Sequence, residues 1–316
     1  MRAAVIVDTE LRVEERPTPL PSTGQVVLRV HAAGINAADL LQRAGHYPAP
    51  PGVPSDIPGL EVMGVVEAIG DGVDASWRGK RVCAIVGGGA QATHAMVAAD
   101  HLLPVPDHVT DSEAGGFAEA YSTAFDALVC QAKLAPGERV LISGAAGGVG
   151  TAAVQLARSL GAQVTAVVRH RDHEQSLRTL GATAVITIDD LGTAGPFDVV
   201  LELVGAAHLA VAQHHLAPFA RVVVIGVSGG SLATLDLLGI MRRRVTLTGS
   251  TLRSRSEREK ALLATLMRSD VLPRWERGEL TVPVMATFDL SAIEDAYHCF
   301  ATPGKFGKIV VTMGEA

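Results

Sequence analysis

The residues Ser143-Gly-Ala-Ala-Gly-Gly-Val-Gly150 place four glycines between an apolar segment and one with helical periodicity. Main-chain N–H groups in such a turn, at the start of a helix, can surround a phosphate, and missing side chains let it come close. Against the dinucleotide pattern G-x-G-x-x-G the aligned residues are Ala145, Gly147 and Gly150, with alanine in the first position. A plain chain reversal is the other use of such a run. The strand before it and the amphipathic helix after it are the context in which the run binds a dinucleotide, through Ala145, Ala146, Gly147, Gly148, Val149 and Gly150. Roughly twenty residues further on, where NAD-binding chains place Asp or Glu on the ribose 2′-hydroxyl, stands Val168-Arg-His-Arg171. A guanidinium at Arg169, with Arg171 beside it, can accept a 2′-phosphate through paired charge-assisted bonds, which favours NADPH over NADH. Asp172 leaves an NAD ribose contact open, and solvated loop charges are the alternative for both arginines.

Other candidate groups are less specific. Cys83, Cys130 and Cys299 are widely scattered, without the close spacing of a thiolate metal site, and the 11 histidines contain no His-Glu-x-x-His pattern. The adjacent pair His214-His215 cannot share one helix face, so no metal site is expected. Lys and Arg total 27 against 33 Asp and Glu, a net charge of −6, and no basic stripe interleaves with aromatics. That argues against a nucleic-acid partner, with Arg242-Arg-Arg244 read as a solvated helix end. No run approaches about 18 uninterrupted apolar residues, and the start Met1-Arg-Ala-Ala-Val-Ile-Val-Asp lacks the pattern of a signal peptide. A protein with no membrane partner, located in the cytoplasm, is the expectation.

The elements that must position these groups follow from periodicity. With 316 residues and 48% apolar content the chain can bury one large or two ordinary cores. Up to about residue 97, short apolar runs at 3–7, 26–30, 64–69, 81–85 and 92–97 are broken by Gly and Pro, which predicts an irregular, mostly antiparallel β unit. A short helix is expected over 37–42, followed by an ordered loop through Pro48, Pro50, Pro51, Pro54 and Pro58. From about residue 120, strands at 140–143, 164–168, 184–188, 198–203, 221–225 and 245–248 alternate with crossover segments, which predicts a doubly wound parallel sheet. Val149, Ala152, Ala153, Leu156 and Leu160 fall on one side of the helix after the turn, leaving Arg158 and Ser159 to solvent. A helix over 257–267 and a terminal β run at 307–312 suggest that the C-terminus rejoins the first unit.

With these features on the page, the chain resembles the zinc-free quinone oxidoreductase branch of the medium-chain dehydrogenase/reductase superfamily. The blocks that carry the resemblance include Gly34-Ile-Asn-Ala-Ala-Asp39, Gln42-Arg-Ala-Gly-His-Tyr-Pro48, Gly59-Leu-Glu-Val-Met-Gly64 and Gly87-Gly-Gly-Ala-Gln91. Ala120-Tyr-Ser-Thr-Ala-Phe125, Gly249-Ser-Thr-Leu-Arg253 and Gly307-Lys-Ile-Val310 follow in the family order, so that it covers essentially the whole chain. It implies a GroES-like irregular β domain at 1–119, completed by 268–316, and a Rossmann domain at 120–267. Zinc-dependent relatives carry Cys near Asn36–Ala38 and Gly-His-Glu where this chain has Gly59-Leu60-Glu61, so both ligands are absent. Without a Lewis acid, reduction of a quinone or of an alkene conjugated to a carbonyl is expected rather than alcohol oxidation, since such acceptors spread the charge that hydride delivers.

The resemblance further implies that Tyr47 lines the substrate cleft, with a phenol able to donate to the acceptor oxygen, and that Asn36 faces nicotinamide and substrate. A loop aromatic and an Asx turn are the respective alternatives. Thr123, Val204, Gly205, Ile225, Gly226, Val227, Thr251 and Leu252 are implied around the cofactor, and turn requirements explain Gly205 and Gly226 equally well. Arg253 is implied at the substrate side or as a cap on the cleft surface. Asp39 and Arg43, four apart, are expected to form a helix ion pair, and Glu61 to be structural. The function expected is an NADPH-dependent, zinc-independent reductase of conjugated carbonyls or quinones, working as a homodimer with 232–248 near the contact. An enoyl-thioester reductase and a non-catalytic NADPH-binding protein of the crystallin kind are the alternatives.

Overall fold

The structure is a computed structural model that describes residues 1–314. The chain divides into two units, one made of Met1–Ser122 and Leu252–Ala316, the other of Thr123–Thr251.

The second unit is built on a six-stranded sheet. In spatial order the strands are Ala184–Ile186, Gln163–Val167, Arg139–Ile142, Phe197–Glu202, Leu216–Val224 and Thr246–Gly249, and every pairing is parallel. The inner strands Arg139–Ile142 and Phe197–Glu202 are rich in buried apolar residues, as strands covered on both faces of a parallel sheet are. The order runs outward in both directions from Arg139–Ile142, so the sheet has a topological switch point between that strand and Phe197–Glu202. Ligands of such sheets bind outside the carboxyl ends of the strands at that point. The helix Gly148–Ser159 is buried all round from Gly150 to Ala157, more deeply than the single apolar stripe predicted. Its small residues make this possible, and Arg158 is exposed as expected.

The first unit holds a seven-stranded sheet and a separate hairpin. Val284–Asp289, Lys308–Thr312, Gln25–Gly34, Glu61–Ile69, Arg81–Ile85 and Leu103–Pro104 lie side by side, and His94–Ala98 pairs with the far part of Gln25–Gly34. The C-terminal strand rejoins this unit, as the sequence suggests, by placing Val310 opposite Gly34 and Thr312 opposite Ala32. The hairpin Arg2–Val7 with Glu10–Glu15 is not evident from the sequence. Glu-Leu-Arg-Val-Glu-Glu reads as polar surface, and its turn uses Asp8 and Thr9 at positive φ without a glycine. Tyr121, Phe117 and Trp275 stack in the interior, with 3.7 Å between the Phe117 and Trp275 ring centroids.

The structure groups residues 252–267 with the first unit, whereas the resemblance implies the second. Side chains explain it. Arg253 is spent on groups of the first unit, and His101 Nε2 bonds the Glu257 carbonyl at the start of the helix Glu257–Leu266 at 3.0 Å. Among the described residues no helix is long and apolar enough to cross a membrane.

Candidate functional site

In the second unit the glycine-rich turn stands at the carboxyl end of Arg139–Ile142. Ala145 N–H donates to the Val167 carbonyl at 3.1 Å and Gly147 N–H to Gly144 at 3.1 Å, and Gly147 is the N-cap of a twelve-residue helix. A Cβ on Gly150 would run into Ala145, whose Cα would be 2.6 Å away, so that glycine is needed for the turn to close on the helix. The first four N–H groups of a helix have no intrahelical partner and carry partial positive charge, which suits a pyrophosphate.

Val204, Gly205, Ile225, Gly226 and Val227 are brought together with this turn by a carboxylate that sequence reasoning does not single out. Glu202 is fully buried at the end of Phe197–Glu202. Its Oε1 accepts from Ser143 Oγ, Val204 N–H and Gly205 N–H, each at 2.7 Å, and its carbonyl accepts from Ile225 N–H at 2.8 Å and Gly226 N–H at 3.2 Å. Ser143 Oγ in turn accepts from Leu203 N–H at 2.7 Å. Gly205 at φ +105° lies so close to Gly226, Val227 and Gly230 that no side chain fits there. A carboxylate inside the apolar run Val199-Val-Leu-Glu-Leu203 is the available signal.

Thr123 is buried, and Thr251 is exposed beyond the end of Thr246–Gly249, where Ser250 Oγ donates to the buried Asp126 at 2.8 Å. Leu252 is buried within the first unit. The two arginines part company. Arg171 is paired with Asp190 at 2.9 Å and Glu174 at 3.3 Å. Arg169 is exposed just beyond Gln163–Val167 and, among the described residues, has no hydrogen-bond or ionic partner. The turn and the glycine contacts fit a dinucleotide, and the Arg169 guanidinium is free to meet an anionic group.

In the first unit Asn36 precedes the helix Ala37–Arg43 and lies in a buried polar network. Lys308, 3% exposed, donates to Ile35 O at 3.1 Å, to Asn36 Oδ1 at 2.8 Å and to Glu61 Oε1. Glu61, fully buried, also accepts from Asn36 Nδ2 at 3.0 Å and, through Oε2, from Glu119 N–H at 2.9 Å. Glu61 is structural, as expected. Asp39 does not pair with Arg43. It lies on the buried side of its helix and accepts from Asn36 N–H at 2.8 Å and Gly59 N–H at 3.0 Å, while Arg43 reaches Glu294 at 2.9 Å. Burial pushes the Asp39 carboxyl up to about 6 against the pull of those two N–H donors and of Lys308.

Tyr47 is held by Arg253. That side chain is 4% exposed and donates to the Tyr47 carbonyl at 2.8 Å, to Gly87 O at 2.8 Å and to Gln42 Oε1 at 2.6 Å, with its guanidinium 4.9 Å from the centre of the Tyr47 ring. Arg253 thus ties the Tyr47 loop to the Gly87 turn and the first helix, and is no mere surface cap. Leu60, where zinc-dependent enzymes have histidine, is buried, and the carboxylate of Glu61 already carries an ammonium. These side chains do not fit a zinc ion, and among the described residues no group of three or more His, Cys, Asp and Glu could hold a metal.

Two family models match, "Alcohol dehydrogenase GroES-like domain" over residues 22–107 and "Zinc-binding dehydrogenase" over residues 148–268. The chain is 34% identical over 96% of its length to a component of the phenolphthiocerol/phthiocerol polyketide synthase of Mycobacterium tuberculosis, but spans only 14% of that relative. It is 30% identical to the quinone oxidoreductase of Sus scrofa over 91% of this chain and 89% of that one. The solved quinone oxidoreductase of Thermus thermophilus, described with its NADPH complex, is 34% identical, with a TM-score of 0.85 over 99% of this chain and 100% of that chain.

The buried Asp39 gives a pH signature. Its ordinary value of 3.8 applies in the unfolded chain and about 6 in the folded one, so the folded state holds the proton more tightly. Stability from this group is full below about pH 4 and is lost as pH rises through about 6. Urea unfolding of wild type and Asp39→Asn between pH 4 and 7 should show that downward slope only in the wild type; parallel curves would mean that the carboxyl does not hold its proton there.

Proposed function

The chain belongs to the medium-chain dehydrogenase/reductase superfamily, among its quinone-oxidoreductase-like members, and from that premise we propose that it is an NADPH-dependent, zinc-independent reductase of quinones or other α,β-unsaturated carbonyls. The observation that carries the reaction class is the saturated Glu61 carboxylate. Lys308, Asn36 and Glu119 N–H occupy it at the place where zinc-dependent relatives have their motif. With no Lewis acid to hold an alkoxide, conjugated acceptors are the substrates whose charge hydrogen bonds can manage. Bound nicotinamide would supply the hydride.

The protein's part is binding, orientation and proton supply. The turn at 145–150 and the Glu202-organised strand ends hold the dinucleotide, together with Thr123 and Thr251, and Arg169 takes the 2′-phosphate. Arg171 joins it only by exchanging its ion pairs with Asp190 and Glu174 for the phosphate. Tyr47 donates to the acceptor oxygen from a loop fixed by Arg253, and Asn36 orients the reacting groups.

A second reading, reduction of an enoyl thioester, is favoured by the polyketide synthase relative. A homodimer is also part of the proposal. Thr246–Gly249 is an open sheet edge, and Leu237, Leu238 and Met241 beside it are 67%, 54% and 72% exposed, an apolar surface that a second copy would cover.

Anaerobic stopped-flow of NADPH oxidation against 1,4-quinones, enones and enoyl thioesters tests the reaction. Tyr47→Phe should slow the chemical step about a hundredfold, and an unchanged step overturns the donor role. Arg169→Ala should weaken NADPH by roughly 10- to 100-fold while sparing NADH; equal losses remove the phosphate contact. Light scattering should give twice the 32.8 kDa of one chain at micromolar protein, and a monomer mass sinks the dimer.

A further inference from the structure

The network around Asn36 decides more than its position. Its amide lies between a group that can only donate, the Lys308 ammonium, and one that accepts, the Glu61 carboxylate. Oδ1 must therefore face Lys308 and Nδ2 must face Glu61, because the flipped amide would set donor against donor and acceptor against acceptor. Both hydrogens of Nδ2 are directed inward, one to Glu61 Oε1 at 3.0 Å and one, more weakly, to Gly34 O at 3.4 Å. The main chain adds to this, since Asn36 N–H goes to Asp39 Oδ2 at 2.8 Å. Only one half of a capping box is bonded, from Asn36 N–H to the Asp39 carboxylate; the Asp39 N–H bonds the Asn36 main-chain carbonyl, at 3.0 Å, and leaves Oδ1 free of it. All three Lys308 hydrogens are used as well.

The surroundings admit no looser arrangement. Gly34 carries no side chain, and a Cβ there would collide with Glu61 Oε1 and lie 2.9 Å from the Gly115 carbonyl. Glu61 and Lys308 are 0% and 3% exposed, so water does not compete for them, whereas Asn36 is only half-buried and keeps one side open.

We propose that Lys308 and Glu61 are positioning residues that lock the Asn36 amide, so that Asn36 meets its ligand only as an acceptor, through the remaining lone pair of Oδ1. This rests on the reading, made above, that Asn36 faces nicotinamide or substrate. The group it recognises then carries an N–H or O–H, as a carboxamide, a ribose or a hydroquinone does. Asn36 cannot donate to an oxygen that gains charge during reduction, and that work falls to another residue.

The sequence makes a direct test available, because Asn36 is the single asparagine of the chain. Protein labelled with 15N and 13C in asparagine therefore shows one side-chain NH2 and one side-chain carbonyl carbon by NMR. In the wild type the two NH2 protons should be non-equivalent and exchange with solvent at least about tenfold more slowly than in free asparagine. On addition of NADPH, and separately of a hydroquinone, the carbonyl carbon should shift for the ligand that bonds Oδ1, while the NH2 protons keep their protection. NH2 protons that move into a new bond with either ligand overturn the acceptor-only assignment.

Lys308→Met alone leaves a buried, poorly answered carboxylate and can fail to fold. The Lys308→Met/Glu61→Gln pair removes both charges, and because the introduced glutamine amide can donate or accept, it releases the asparagine. The double variant should lose the slow exchange by about tenfold; retention of wild-type protection would show that the two residues only compensate one another's charge. A carbonyl carbon silent to both ligands removes the ligand contact and with it the role of Asn36 in the proposed function. The lock itself is judged on the NH2 protons alone.

Discussion

A carboxylate taken out of water draws the donors of the protein around it, and the candidate residues of both units are arranged about two such groups. Glu202 and Glu61 are each 0% exposed. Leaving either without partners would cost several kcal/mol, so the backbone and side chains near them have little freedom. At Glu202 one carboxylate oxygen takes Ser143 Oγ and the N–H groups of Val204 and Gly205, while Oε2 has no hydrogen-bond partner among the described residues; the main-chain carbonyl of the same residue takes Ile225 and Gly226 N–H, and the two sets together tie the ends of three parallel strands. Around Glu61 they are an ammonium, an amide and one N–H, which set the start of the helix Ala37–Arg43 and the last strand of the chain relative to Glu61–Ile69. In each unit a carboxylate that takes no direct part in the proposed chemistry dictates where the groups that do will stand.

This explains how far the sequence can be read. The parallel sheet, its crossover helices and the glycine turn are legible, because each depends on local pattern: apolar runs about five residues long, helical spacing, and glycines at a strand end. Arg169 is legible for a similar reason, since its distance along the chain from the turn fixes its place in the fold. Residue type alone does not reveal that Arg171 is engaged by Asp190, nineteen positions away, while Arg169 is not. The hairpin Arg2–Glu15 stays hidden because four of the six residues of its second strand are charged and its turn holds no glycine.

The hidden layer is the set of buried charges. Lys308 and Glu61 are separated by 247 positions, and Arg253 and Gln42 by 211. A lysine opening an apolar run and an arginine after a short strand are by default solvated, so only a distant partner turns them into interior groups. Asp39 shows the same limit. Four positions from Arg43 in a helix, it has every local reason to pair, but its helix turns it toward Gly59, and two N–H groups answer it instead.

The two buried systems of the first unit also divide the work asked of it. Arg253 holds the Tyr47 loop by its main chain, through the carbonyl, and stacks against the ring, so the phenol is oriented without its hydroxyl being consumed by that contact. Lys308 and Glu61 do the reverse to Asn36, engaging the side chain itself and leaving one acceptor lone pair. A donor and an acceptor fixed by separate buried cations cannot exchange roles by rotating a side chain. For an acceptor that is a carbonyl before hydride arrives and a hydroxyl afterwards, Tyr47 is then suited to the oxidised form and Asn36 to groups that carry a proton throughout. That division follows from hydrogen-bond direction alone and applies to a quinone, whose carbonyl oxygen ends as a hydroxyl; an enoyl thioester regains its carbonyl when its α-carbon is protonated and would use only the donor.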